Sequence, residues 1–187
     1  MHRAAFAELG LGDWSYQLLP VPPELFTETV RALGGAGFVG ANVTVPHKAE
    51  ALAVADRATP AARAIGAANT LSIDADGTIA AENTDAPGLI DALAGVGRDP
   101  AGCRALVMGA GGSARAVVWA LREAGAEVSV WNRTPERAAR LADELGVRAT
   151  RHAEPAELLV NCTTVGLGGC TSDLDEMLIS LPLTADA

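Results

Sequence analysis

The chain of 187 residues has little cysteine, few aromatics and no long apolar run, and each scarcity narrows what it can be. Its three cysteines, Cys103, Cys162 and Cys170, fall in no CxxC or Cys/His spacing, so neither a zinc module nor a disulfide framework organises it and no metal is expected. A reducing, cytoplasmic compartment matches that usage. No stretch approaches the ~20 apolar residues that span a bilayer, and the first residues lack the charged-then-apolar order of a secretory signal, so no membrane partner is expected. Basic residues are also outnumbered, 14 Lys and Arg against 23 Asp and Glu, leaving a formal charge of -9. That surface repels a phosphate backbone, and without a Lys/Arg cluster or interleaved aromatics no nucleic-acid partner is expected. Any phosphate it recognises is small and locally held.

The composition that remains, 49% hydrophobic and 20% charged, is that of a packed globular protein. The length suits one compact domain or two small ones sharing a cleft, and the pattern along the chain favours two. Residues 22–33, with apolar Leu25, Val30 and Leu33 before Gly34-Gly35, predict an amphipathic helix. Residues 38–45 predict a strand stopped by Pro46, which is placed to start a helix over 46–56 with Lys48 in its first turn. Short β-rich runs at 71–74 and 78–81 flank Asp76-Gly77 and predict a hairpin. Asn83-Thr84-Asp85 precede Pro87 and predict a helix beginning near Asp85. The Gly- and Pro-rich residues 95–102 mark the boundary between a domain at 1–98 and one at 99–187.

Beyond that boundary, continuous apolar runs at 104–108, 127–131 and 157–161 predict three buried parallel strands, joined by helices over 113–124 and 135–145. The first strand leads into Gly109-Ala110-Gly111-Gly112-Ser113-Ala114, which opens a helix. Small residues there let a dinucleotide approach the backbone, where N–H groups and the helix dipole hold a pyrophosphate; the third glycine of GxGxxG is Ala114, which the motif allows. NAD binders usually place an Asp or Glu after the second strand. Here Asn132-Arg133-Thr134 occupies that place, with Arg137 one turn on, so a 2′-phosphate is favoured and NADP is the expected cofactor. The plain alternative is a pair of solvated arginines beside a turn that only packs helix on strand.

In the first half, polar residues gather at element ends: Asn42, Thr44 and Lys48; Asn69 and Thr70; Asn83, Thr84 and Asp85. Each alone is an ordinary cap or solvated side chain. Together, a Lys and an Asp beside one substrate oxygen can serve proton transfer.

Six blocks resemble the shikimate dehydrogenase family in order and at matching intervals: Asn42-Val43-Thr44-Val45-Pro46-His47-Lys48, Gly66-Ala67-Ala68-Asn69-Thr70, Asn83-Thr84-Asp85, Gly109-Ala110-Gly111-Gly112, Asn132-Arg133-Thr134 and Asn161-Cys162-Thr163-Thr164-Val165-Gly166. The resemblance implies an α/β fold, with an N-terminal substrate domain followed by a Rossmann-type NADP-binding domain. It implies catalytic roles for Lys48 and Asp85, substrate binding by Thr44 and Asn69, and reversible hydride transfer between NADPH and 3-dehydroshikimate in aromatic amino-acid biosynthesis. The implied partner is a small molecule, and the implied state is a monomer or homodimer. Members of that family begin with a strand and a two-serine loop, and continue through further strands and helices that supply a substrate-binding glutamine. The chain is therefore expected to be incomplete at both ends. Three other readings stay open: a non-catalytic dinucleotide-binding remnant, a relative that also takes quinate, and a methylenetetrahydrofolate-type dehydrogenase. The last leaves the first and third blocks unexplained.

Overall fold

The computed structural model describes residues 2–152 and 155–165, and Cys170 and Gly166 of the sixth block lie outside that range. The elements run α1 (His2–Glu8), α2 (Phe26–Leu33), β1 (Gly40–Asn42), α3 (Lys48–Val54), β2 (Arg57–Ala58), α4 (Pro60–Ile65), β3 (Thr70–Ile73), β4 (Ile79–Glu82) and α5 (Asp85–Gly95). They continue with β5 (Arg104–Met108), α6 (Gly112–Glu123), β6 (Glu127–Trp131), α7 (Pro135–Leu145), β7 (Arg148–Ala149) and β8 (Leu158–Asn161).

The first sheet has the order β1-β3-β4-β2, antiparallel except where β2 runs along β4. Its centre is the expected hairpin, whose turn rests on Gly77 at φ 84° and on Asp76, which accepts from the Thr78 N–H at 2.9 Å. Three expectations shift in this half. The helix expected over 22–33 is a 3-10 turn at Pro23–Leu25 followed by α2, and the buried face is Phe26, Val30 and Leu33. Leu25 falls one residue out of phase and is half exposed. The strand expected over 38–45 ends at Asn42, and the next helix starts at Lys48 rather than Pro46. Residues 44–47 close a turn, with the His47 N–H on the Thr44 carbonyl at 3.0 Å, so the ladder cannot run on.

The second sheet, β7-β6-β5-β8, is parallel throughout. Ala105, Val107, Val128 and Val130 pack into one core with Val118 and Leu121 of α6 and Leu141 and Leu145 of α7. Taking β5 as the first strand, the order is 3-2-1-4, which turns around between β5 and β8. Open α/β sheets place their ligands beside the carboxyl ends of the strands at such a reversal.

The two sheets are joined by a core of small residues. Ile65 of α4, Ala67, Ala86 of α5 and Ala116 and Ala120 of α6 are all buried together, backed by Leu89, Ile90 and Trp119. Alanine faces let α5 and α6 approach closely, and burying Ile65 alone contributes about 1.5–3 kcal/mol. Arg115 of α6 reinforces the seam: its Nε donates to the Ile65 carbonyl at 2.5 Å, and its guanidinium pairs with Glu144 at 2.6 Å. The arm passes where Gly66, at φ 74°, has no side chain; a Cβ there would lie 2.5 Å from the guanidinium.

Candidate active site

Four loops and helix starts converge where the two sheets meet. Lys48 is the first residue of α3, and its position is set from both sides. His47 stacks on Phe26 of α2 at 4.5 Å and bonds the Val21 carbonyl through Nε2, while the Ala68 N–H donates to the Lys48 carbonyl at 2.8 Å. Asp85 opens α5. Asn83 provides the cap there, its Oδ1 accepting from the N–H groups of Asp85 at 3.1 Å and Ala86 at 3.3 Å. Its amide also donates to the Ala67 carbonyl, so the buried Asn83 ties the start of α5 to the loop before β3.

The Lys48 ammonium donates to Asp85 Oδ2 at 2.6 Å, although the two residues are 37 positions apart in sequence. Lys48 is only 8% exposed, and taking an ammonium out of water is costly unless a paired charge and hydrogen bonds replace the solvent. Here Asp85 supplies the charge and Ser113 Oγ a second acceptor at 2.9 Å. A lysine carries three N–H donors, so one remains for a substrate oxygen. The other carboxylate oxygen of Asp85 accepts from Asn69 Nδ2 at 2.8 Å. Asn69 Oδ1 in turn accepts from the Thr84 N–H at 2.9 Å and from the Thr70 hydroxyl at 3.1 Å. Lys48, Asp85 and Asn69 thus form one continuous network, whereas Thr44, at the turn before α3, is exposed and its side chain has no hydrogen-bond partner among the described residues.

Across the seam lies the glycine turn. Gly109, at φ 112°, passes so close to the chain leaving β8 that a Cβ would lie 2.8 Å from the Cys162 carbonyl. Gly111 precedes α6 with no side-chain cap. The first backbone bond of the helix is made by the Arg115 N–H to the Gly111 carbonyl, which leaves the N–H groups of Gly112, Ser113 and Ala114 ahead of it. Open donors beside a glycine with nothing packed on it fit a diphosphate. At the end of β6, Asn132 Nδ2 bonds the Thr134 carbonyl and shapes the turn into α7. Arg133, Thr134 and Arg137 are exposed, and neither arginine has a carboxylate partner among the described residues, as suits a pair awaiting an external phosphate.

Sequence reasoning missed three of the groups gathered here. Ser113 was expected only at the cofactor, yet its hydroxyl holds Lys48. Asn83 was read as one of three interchangeable caps, yet it alone bonds both helix N–H groups and the opposing loop. Cys162, just past β8, feels both members of the ion pair: burial pushes its thiol up to about 11, Asp85 adds to the rise and Lys48 opposes it. One signal for the site was in plain view. Lys48 is the only lysine of the chain, and the other 13 of its 14 basic residues are arginine. A separate cleft of about 630 Å³ lies at the opposite ends of β5 and β6, but its Arg104 and Arg122 are already engaged by Glu157 and Glu123.

Residues 1–71 match the family model described as the shikimate dehydrogenase substrate binding domain, and residues 93–165 match that of shikimate / quinate 5-dehydrogenase. The shikimate dehydrogenase (NADP(+)) of Thermus thermophilus is 48% identical across 89% of the chain, which spans 63% of that relative's length. The Paramagnetospirillum magneticum enzyme of the same name is 45% identical across 99% of the chain and is 70% covered. Among solved structures, the T. thermophilus shikimate 5-dehydrogenase in complex with NADP(H) and shikimate superimposes with a TM-score of 0.81 at 44% identity, over 98% of this chain and 66% of that one. Shikimate dehydrogenase of Aquifex aeolicus gives 0.82 at 31% identity, over 90% and 64%. Two family models on successive stretches, relatives that match most of the chain and the same two-sheet architecture lead to one conclusion: the chain belongs to the shikimate dehydrogenase family.

Proposed function

We propose that this chain carries the reacting centre of an NADP-dependent shikimate dehydrogenase, interconverting shikimate and 3-dehydroshikimate in the cytoplasm. In this reading residues 1–98 hold the substrate and residues 99–187 hold the cofactor. The diphosphate is held by Gly109, Ala110, Gly111, Gly112, Ser113 and Ala114, and the 2′-phosphate end by Asn132, Arg133, Thr134 and Arg137. Bound NADP supplies the hydride acceptor or donor. In oxidation, Lys48 acts as the neutral amine, its lone pair taking the proton of the reacting hydroxyl as the carbon gives up hydride, and it ends as the ammonium. In reduction, Lys48 returns that proton to the carbonyl oxygen and offsets the charge developing there. Asp85 orients the ammonium, and Asn69, bonded to Asp85, and Thr44, with its side chain free, contact the remaining hydroxyls.

The identity of Lys48 carries this reading. Everywhere else the chain meets its need for positive charge with arginine, which stays protonated at all working pH values. The single side-chain amine able to give up a proton sits buried at the seam and 2.6 Å from a carboxylate. A dinucleotide-binding remnant without turnover is the competing reading, and the relatives, named as NADP(+) shikimate dehydrogenases, do not favour it. One assay separates the two: NADPH formation from shikimate by the parent chain, Lys48→Ala and Lys48→Arg. Turnover lost in both variants supports the enzyme; a Lys48→Arg chain as fast as its parent refutes the proton-transfer role; no turnover in the parent leaves the remnant.

A further inference from the structure

The contact between Lys48 and Ser113 joins two sites that are otherwise supplied by different sheets. Ser113 is the second residue of α6, so its N–H belongs to the open donors of the glycine turn while its Oγ accepts from Lys48 Nζ at 2.9 Å. Gly112 contributes as well. A Cβ on it would lie 2.8 Å from Lys48 Cβ and 3.2 Å from Cδ, so the aliphatic stem of the lysine runs against the turn and the ammonium ends on the next residue. A glycine at that position serves the lysine as much as any phosphate.

We propose that Ser113 is a positioning residue through which occupancy of the phosphate-binding turn is felt at Lys48. This rests on the reading of Lys48 as the proton-transfer group. A ligand bonded to the first N–H groups of α6 fixes the backbone from which the Ser113 hydroxyl projects. The hydroxyl then holds one of the three ammonium N–H bonds, Asp85 a second, and the third is left aimed by elimination. Without that ligand the same bond is made from a looser anchor. Three groups from three elements bear on the ammonium: the Asp85 carboxylate on α5, the Ser113 hydroxyl on α6 and the Cys162 thiol beyond β8. Of these only Ser113 is also part of the turn.

The uniqueness of Lys48 makes the contact measurable without turnover. Acetic anhydride can acylate no other side-chain amine in this chain, so peptide mass spectrometry reads Lys48 alone, against the terminal amine as internal standard. The Ser113 hydroxyl occupies one N–H of Lys48 and closes one approach to its nitrogen. Ser113→Ala is therefore expected to raise Lys48 acylation about two- to tenfold at mildly alkaline pH, the worth of one hydrogen bond, and Ser113→Thr to restore the parent rate. Saturating NADP should slow acylation more in the parent and in Ser113→Thr than in Ser113→Ala, because simple occlusion by the cofactor would protect all three alike. In turnover, Ser113→Ala should lower kcat for shikimate oxidation more than it raises KM, while Ser113→Thr restores kcat. Equal labelling of parent and Ser113→Ala, with and without NADP, overturns the proposal. Loss of turnover in neither Lys48 variant overturns the underlying reading instead, and the labelling comparison still decides whether the contact exists. Circular dichroism confirms that each variant is folded.

Discussion

The two halves of the molecule prepare their chemistry in opposite ways. In the β1–α5 half, the polar groups of the site other than Thr44 are already bonded to one another: Lys48 to Asp85, Asp85 to Asn69, Asn69 to Thr84, and Asn83 across to Ala67. In the β5–β8 half, the groups with chemical potential are uncommitted, namely the first N–H groups of α6 and the exposed Arg133 and Arg137. A group that moves a proton needs its geometry fixed before substrate arrives, because disorder at the reacting atom costs rate directly. A group that grips a charged ligand can wait in water and trade solvent for ligand. Where the halves touch, Ser113 belongs to both, which is why it is the instructive residue.

The contrast breaks most sharply at Lys48. Replacing it with alanine should lower kcat for shikimate oxidation by about 10²–10⁴-fold, the usual worth of a positioned acid–base group. Lys48→Arg should fare little better, since guanidinium holds its proton. The waiting half should respond in binding rather than in rate. Arg133→Ala is expected to weaken NADP binding by about ten- to a hundredfold, the worth of a charge-assisted hydrogen bond, and to leave NAD nearly unchanged; titration calorimetry with both dinucleotides measures the difference. Equal losses would remove the 2′-phosphate assignment. Asn83→Ala deletes a cap and the bond to the Ala67 carbonyl in the preformed half and should cost about 1–3 kcal/mol in denaturant unfolding, whereas Asn83→Asp keeps the cap acceptor but sets a buried carboxylate against that carbonyl and should recover little of it.

A further effect is electrostatic. Folding raises the Cys162 thiol from 9.0 to about 11, so the folded state favours the protonated form. Below pH 9 the thiol is protonated in both states and costs nothing. Between pH 9 and 11 the unfolded chain ionises first, and stability is lost across that window. Unfolding midpoints of the parent should therefore fall more steeply from pH 9 to 11 than those of Cys162→Ala; parallel curves would show that the thiol is not buried beside the ion pair.

These halves also differed in how much of them was legible. Continuous apolar runs bounded β5 and β6 at the residues observed, because strands covered on a face by helices need no polar alternation. Of the elements in that half, β7 escaped notice: Arg148 and Ala149 are both exposed and carry no apolar signal. In the other half α1, β2 and α4 went unread, although α4 has ordinary punctuation, with Thr59 accepting from the Ala62 N–H, Pro60 in its first turn and Gly66 at φ 74° after its end. The meeting of Lys48 and Asp85 has no local cause. It follows from α3 and α5 each starting at the same end of the first sheet, a fact of topology that spacing along the chain does not contain. The resemblance to a family brought the pair together on paper before any geometry did. The restriction of lysine to one position is a bottom-up signal for Lys48 that the sequence reading left unused, and it says nothing of Asp85.

The passage of Arg115 over Gly66 has an evolutionary consequence. The arginine arm occupies the volume of the side chain that glycine lacks, and the two residues belong to different halves of the molecule, Gly66 at the end of α4 and Arg115 in α6. The glycine position is not free to change alone. A relative that carries alanine at the position of Gly66 must shorten or redirect the residue at that of Arg115, and its Glu144 then loses the nearer of its two arginine partners. Across many related chains the three positions should covary as a set, so the seam between the sheets is a place where the history of one half is written in the sequence of the other.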